Sequence, residues 1–194
     1  VRVPIRSLWK KGAIVSLYRN PPDDAYVLCV DEMGPTSAKT YVTPRWDEKR
    51  PQVVEADYGR CGKTWTFGAF EPATGQALTR CYSRRISANF VTFLDVVADT
   101  WLDKTVYIIL DNLSTHKTLD VLLWALAHPH VQFLFQPTYA PWLNLIEPWW
   151  KTLRSLALKG RCFQIVDEIV DAIEWAKHYW NQNKKPYVWR KVFA

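Results

Sequence analysis

The chain has 194 residues, 48% of them hydrophobic, which suits one globular domain with a sizeable core. Eleven tryptophans exclude a disordered or fibrous chain, and no apolar run is long enough to span a bilayer. The net charge of +6 points to a polyanionic partner, nucleic acid first.

Residues 1–25 read as a basic linker or entry segment. Arg2, Arg6, Lys10, Lys11 and Arg19 surround Leu8, Trp9, Ile14 and Leu17, and Asn20-Pro21-Pro22-Asp23-Asp24 then turns the chain. Residues 26–31 form a first buried strand, which Gly34-Pro35 should break, and residues 38–43 a second. Residues 44–63, charged and punctuated by Pro44, Pro51, Gly59 and Gly62, read as a long loop. Two further strands, 64–70 and 77–82, flank a hairpin turn at Gly75. Ser87 is placed to cap a helix with its stripe at Phe90, Phe93, Leu94, Val97 and Trp101. A strand at 106–110, a helix near 117–127 and a short strand at 131–135 follow. Pro148 is tolerated only in a helix's first turn, so a helix begins just before it, with Asn144 as its cap and Gly160 as its end. The last helix carries its stripe at Val166, Ile169, Val170, Ile173 and Trp180. The four cysteines form no CxxC pair, so neither a disulfide framework nor a zinc site is expected, and a reducing cytoplasm is the expected home.

Hairpin-linked strands followed by alternating helices and strands give an α/β domain over residues 26–194. Right-handed crossovers return the later strands beside the first, so growth of the sheet reverses between the strand ending at Asp31 and the strand ending at Asp111. Ligands in open α/β sheets bind beyond the strand ends at such a reversal. Each of these acids closes an apolar run, where its charge needs an answer, and Glu147 stands among tryptophans at a helix start. Three converging carboxylates make an oxygen-only site suited to Mg²⁺ or Mn²⁺, two of which can clamp an in-line phosphoryl displacement.

The series VDE, LDNLSTHKT and YAPWLNLIEPWWKTL resembles the DDE transposases of the mariner superfamily, in the bacterial insertion-sequence branch. The 35 residues between Asp111 and Glu147 are similar to that family's spacing. The resemblance implies a ribonuclease H-like fold: a mixed five-stranded sheet, its first three strands hairpin-linked, with helices on both faces. It assigns Asp31, Asp111 and Glu147 as catalytic and metal-binding residues for two Mg²⁺ or Mn²⁺ ions. It implies cleavage of phosphodiesters at transposon ends, joining of the 3′-hydroxyl to target DNA, and a homodimer on DNA. Family members carry an N-terminal helix-turn-helix module, and none is expected within these residues. The alternative is an inactive or domesticated transposase-derived DNA-binding or scaffold domain.

Further nucleic-acid contacts are candidates only. Asn112 and His116 match the family's DNxxxH pattern, with Lys117 beside them; Asn112 could equally cap its own loop, and a lone histidine such as His116 is more often a hydrogen-bonded structural group than a catalyst. Trp142 could stack on a base, and Asn144 lies next to the same site. Lys151 and Arg154 follow Glu147 by four and seven residues, on its helix face, as phosphate contacts or as a plain solvated face. Trp149 and Trp150 read as core, and Glu32 should point away from Asp31 and not act as a ligand.

Overall fold

The computed structural model describes residues 5–40, 59–138 and 140–187. Five strands form one sheet in the order β3-β2-β1-β4-β5. Helix α1 is Ile5–Arg19, β1 Ala25–Thr40, β2 Gly59–Glu71, β3 Gln76–Tyr82 and α2 Ser87–Thr100. The chain continues through β4 Thr105–Leu110, α3 Leu119–Ala127, β5 Val131–Phe135, α4 Ile146–Ala157 and α5 Val166–Gln182. The first three strands pair antiparallel, while β4 and β5 run parallel to β1, so the sheet is mixed as expected.

Alternation along β1 and β4 sorts the core into layers. Leu28, Val30, Val106, Ile108 and Leu110 meet Phe90, Phe93, Leu94 and Val97 of α2 on one face. Cys29 and Phe70 meet Ile146, Trp149, Trp150 and Leu153 of α4 and Ile169 and Ile173 of α5 on the other. Beside that second cluster, Val27 and Ile109 pack under Ile14 of α1 and Leu143. Trp149 and Trp150 are fully buried, as core residues should be. Helix α3 buries only Val121 and Trp124 and leaves Leu119, Leu122, Leu123 and Leu126 exposed.

Several local expectations are corrected. Gly34-Pro35 does not break the first strand; β1 runs on to Thr40 with a register shift between Met33 and Thr36. The reason lies in the sheet. Pairing of β1 with β4 reaches only Cys29 and Ile109, so Pro35 lies where β1 has β2 alone for a neighbour and the missing N–H leaves no second partner unsatisfied. Residues 38–40 thus belong to β1 and residues 59–63 to β2, while the rest of the expected second strand and long loop lies outside the described residues. Ser87 is the first residue of α2 rather than its cap, and Leu145, not Asn144, holds the cap position of α4.

One glycine decides how closely α4 lies on the sheet. Gly68 of β2 is the partner of Asp31, and a Cβ there would lie 2.3 Å from the Trp150 ring. Gly68→Ala should therefore push Trp150, and α4 with it, off the sheet, destabilising the fold by about 1–3 kcal/mol as overpacking does. Urea unfolding measures this; an unchanged midpoint would show that the indole relaxes freely.

Candidate active site

Residues Cys29 of β1 and Ile109 of β4 are direct neighbours in the parallel ladder. Continuing that register by two residues sets Asp31 and Asp111 side by side, with strands about 4.8 Å apart. Both acids extend the face that carries α1 and α4. Each has one carboxylate oxygen taken by a backbone amide: Glu32 N–H donates to Asp31 Oδ1 at 2.8 Å, and Leu113 N–H to Asp111 Oδ1 at 2.9 Å. Among the described residues, neither Oδ2 accepts a hydrogen bond. Glu147 lies in the first turn of α4, exposed and without a hydrogen-bond or ion-pair partner among the described residues.

The carboxylates feel one another. Burial, then the charges of Glu32, Glu147 and Asp111, push the Asp31 carboxyl up to about 7, against a partial offset from the Glu32 amide. Asp111 goes the other way. His116 beside it, helped by the Leu113 amide, holds its carboxyl below the ordinary range against the opposing effect of burial.

The binding of α4 to this corner falls to Asn144. Its side chain is buried, donates to the Val30 carbonyl at 3.1 Å and faces the Ile146 amide at 3.5 Å. Asn144 is therefore a tie between β1 and the start of α4, and the expected nucleic-acid contact is withdrawn: its polar atoms are spent inside the fold. Tyr18 of α1 adds a second tie by donating to the Leu143 carbonyl at 2.7 Å.

His116 is likewise no DNA contact, because its side chain has no exposed surface. Its Nε2 lies 2.8 Å from Glu32 Oε1, and the Glu32 side chain is itself only 2% exposed. Its Nδ1 lies 3.0 Å from Asp111 Oδ1, an ion-pair contact whose N–H is off the line of a full hydrogen bond. Burial alone would lower the imidazole's pKa, but Asp111 and Glu32 together raise it to about 9, so the ring is charged at neutral pH. Phe90 of α2 packs on it with ring centroids 4.4 Å apart. Glu32 does point away from Asp31, and no ligand role follows. What the sequence reading missed is the partner it finds there. The only available signal was a carboxylate on the apolar face of a buried strand, needing a cation to meet it.

The remaining expected contacts divide. Asn112 donates to the Gln136 carbonyl and accepts from Lys117 Nζ at 2.8 Å, and Lys117 also lies 5.0 Å from the Phe135 ring centroid. Those two side chains close the loop between β4 and β5. Trp142 is 56% exposed with Lys11 Nζ 5.9 Å from its ring centroid, so its face remains available. Lys151 and Arg154 are exposed and, with Ser155, Leu158 and Lys159, line a cavity of about 450 Å³ along α4.

Comparison with known proteins places this geometry. The profile of the DDE superfamily endonucleases matches residues 26–170. The chain belongs to that family, and its likenesses run to transposases of the insertion-element and mariner kinds. It is 28% identical over 111 residues to the insertion element IS630 uncharacterized 39 kDa protein of Shigella sonnei, covering 57% of this chain and 32% of that protein. Its fold resembles that of the Mos1 transposase in a paired-end complex with the left transposon end, with TM-score 0.61 and 14% identity, over 97% of this chain and 58% of the other. It also resembles a chain of the simian T-cell lymphotropic virus intasome complexed with the PP2A regulatory subunit B56 gamma, with TM-score 0.50 and 12% identity, over 78% and 47%. The chain thus spans about a third of the curated relative. These likenesses and the sheet order define the ribonuclease H-like fold. No helix among the described residues is long and apolar enough to cross a membrane.

The opposed shifts predict a pH dependence. Because Asp31 has its folded pKa raised, its contribution to stability is present below the ordinary value of 3.8 and is lost as pH rises to about 7. Without metal, Asp31→Asn should therefore gain stability over the wild type across that window, by at most about 4 kcal/mol, and the difference should level off above it. His116, also raised, adds a wild-type decline between its ordinary 6.5 and about 9 that Asp31→Asn leaves in place. Thermal melts in chelator at stepped pH test this; a difference independent of pH would mean Asp31 bears no strain from buried charge.

Proposed function

We propose that the chain is the catalytic part of a metal-dependent DNA transposase, with Asp31, Asp111 and Glu147 holding divalent cations where phosphodiesters are broken and joined. The observation that carries this reading is the crowding of carboxylates just past the point where the parallel pairing of β1 and β4 ends. Burial first, and then its anionic neighbours, raise the Asp31 carboxyl, and Asp31 and Asp111 each keep one oxygen open.

The donor set fits Mg²⁺ or Mn²⁺, since every donor is a carboxylate oxygen. Among the described residues no three such groups already form a ligating cluster. Carboxylates at short range repel when no positive charge separates them, and among the described residues the Glu147 carboxylate has no hydrogen-bond or ion-pair partner of its own. When bound, two divalent ions supply charge neutralisation at the attacking and leaving oxygens and acidify the attacking hydroxyl.

The protein's own residues do the rest. Leu113 and His116 hold Asp111 Oδ1, and Asn144 fixes the origin of α4 and with it Glu147. In the first step a water oxygen attacks phosphorus at an element end, and the 3′ oxygen leaves as a hydroxyl. In the second that hydroxyl attacks a target phosphodiester, releasing another 3′-hydroxyl. The cationic groove of Lys151, Arg154 and Lys159 draws phosphates along the helix that carries Glu147, and Trp142 offers a stacking face. DNA is accordingly the partner proposed, with two copies acting together on it; the Mos1 transposase complex with a transposon end supports the first point.

Asp111→Asn and Glu147→Gln should each abolish Mn²⁺-dependent cleavage of a duplex carrying the element end while melting cooperatively. A gel assay with the metal titrated reads the first, circular dichroism the second. Undiminished cleavage by either variant would remove that acid from the mechanism.

The groove makes a separate prediction. Lys151→Ala and Arg154→Ala should weaken binding to all duplexes alike and flatten the salt dependence by about one unit each, as loss of one phosphate contact does. Binding isotherms at stepped salt measure the slope, and an unaltered slope would return both to an ordinary solvated surface.

A further inference from the structure

Glu32 is the least expected charge in the fold. It lies on the face of β1 that carries Leu28 and Val30, beneath α2, and its side chain is 2% exposed. A carboxylate there is tolerated only with a partner, and its partner is His116, 84 residues away. Among the described residues the imidazole in turn has two polar partners, Glu32 on Nε2 and Asp111 on Nδ1, with Phe90 against its ring. The three side chains thus pass around the end of β4, from the face opposite the acids to the acids themselves. Asp111 Oδ1 receives both the Leu113 amide and the imidazole, so the open oxygen is Oδ2.

We propose that Glu32 is a positioning residue for the reaction: by fixing the His116 ring, it holds the Asp111 carboxylate in the orientation that presents its free oxygen to the metal site. This rests on the metal reading above. The role belongs to the Glu32 oxygen as an acceptor in a closed apolar pocket. A ring held at one nitrogen only, by an exposed and flexible carboxylate, is free to turn about its χ angles. Held at both, it has one orientation. Supporting groups of this kind change metal affinity or activity by about 10–100-fold when removed.

The experiment compares Glu32→Leu, which fills the pocket without an acceptor, with Glu32→Gln, which retains an Oε1 acceptor. The readout needs no DNA and no turnover: the Mn²⁺ concentration at half of the thermal shift, in protein otherwise free of metal. Glu32→Leu should raise that midpoint about 10–100-fold, with Glu32→Gln within a few-fold of wild type. Cleavage assays should show Glu32→Leu reduced in kcat at unchanged KM for DNA, because Glu32 does not reach the surface. A Glu32→Leu midpoint equal to wild type, or Glu32→Gln as impaired as Glu32→Leu, would overturn the role. If Glu32→Leu loses its cooperative melt, His116→Phe carries the test. It keeps a ring against Phe90 without an N–H, and an unchanged midpoint there overturns the role equally. A wild type indifferent to Mn²⁺ would remove the metal reading and this role with it, whereas a wild-type response that Glu32→Leu reproduces removes this role alone.

Discussion

Negative charge gathered where the pairing of β1 with β4 ends is the constraint that organises this domain. Two residues past the last pair of β1 and β4, Asp31 lies within reach of the Asp111 charge, and the start of α4 brings Glu147 to the same corner. The fold answers Asp31 and Asp111 differently. Asp111 has an imidazolium and an amide, and its carboxyl stays easily ionised. Asp31 is buried with one amide and several anions, and its carboxyl is pushed up to about 7. Such asymmetry is typical of acids kept for function, because a purely structural site would have supplied both with partners.

That arrangement would scatter without a firm seat for α4. The helix is set on the sheet by two contacts made by residues with no chemistry of their own. Gly68 lets the Trp150 ring lie against β2 opposite Asp31, and Asn144 bonds the strand carbonyl just before Asp31. One contact is close packing and the other a buried hydrogen bond. Both act within one residue of the acid in the ladder, so a shift of α4 and a shift of the site are the same event. Tyr18 extends this to α1, whose Ile14 is buried over β1 and β4, so the basic first helix packs as part of the layer.

Much of this was legible in the residues. The apolar run closed by Asp111 marked the end of β4, whereas β1 runs on past Asp31 to Thr40, and a proline one residue after Glu147 located the helix start. The faces of Asp31 and Glu32 followed from strand alternation alone. What escaped the reading depends on pairs distant in sequence. Whether Gly34-Pro35 ends a strand is decided by which neighbour lies alongside, and here β2 alone does. Asn144 looked like a helix cap because local rules favour asparagine there, yet the Val30 carbonyl, 114 residues away, claims its amide. His116 was a candidate contact by its place in the DNxxxH pattern, and nothing in the sequence showed that Phe90 of α2 packs on it or that Glu32 pairs with it.

The two faces of the sheet consequently do different work for one site. The α4 face carries the acids, the exposed Trp142 and the cationic groove, all open to a large polyanion. The α2 face is sealed and apolar, and a carboxylate and an imidazolium buried there interact far more strongly than they would in water. A pair of charges exposed beside the acids would be screened by salt and would compete with phosphates for them. Placed behind the sheet, the pair reaches Asp111 only through one ring nitrogen and stays out of reach of any DNA lying on the other side. The hydrophobic packing of Phe90 against His116 is therefore part of the electrostatics: by excluding water from the ring, it keeps the charge on His116 directed at the carboxylates.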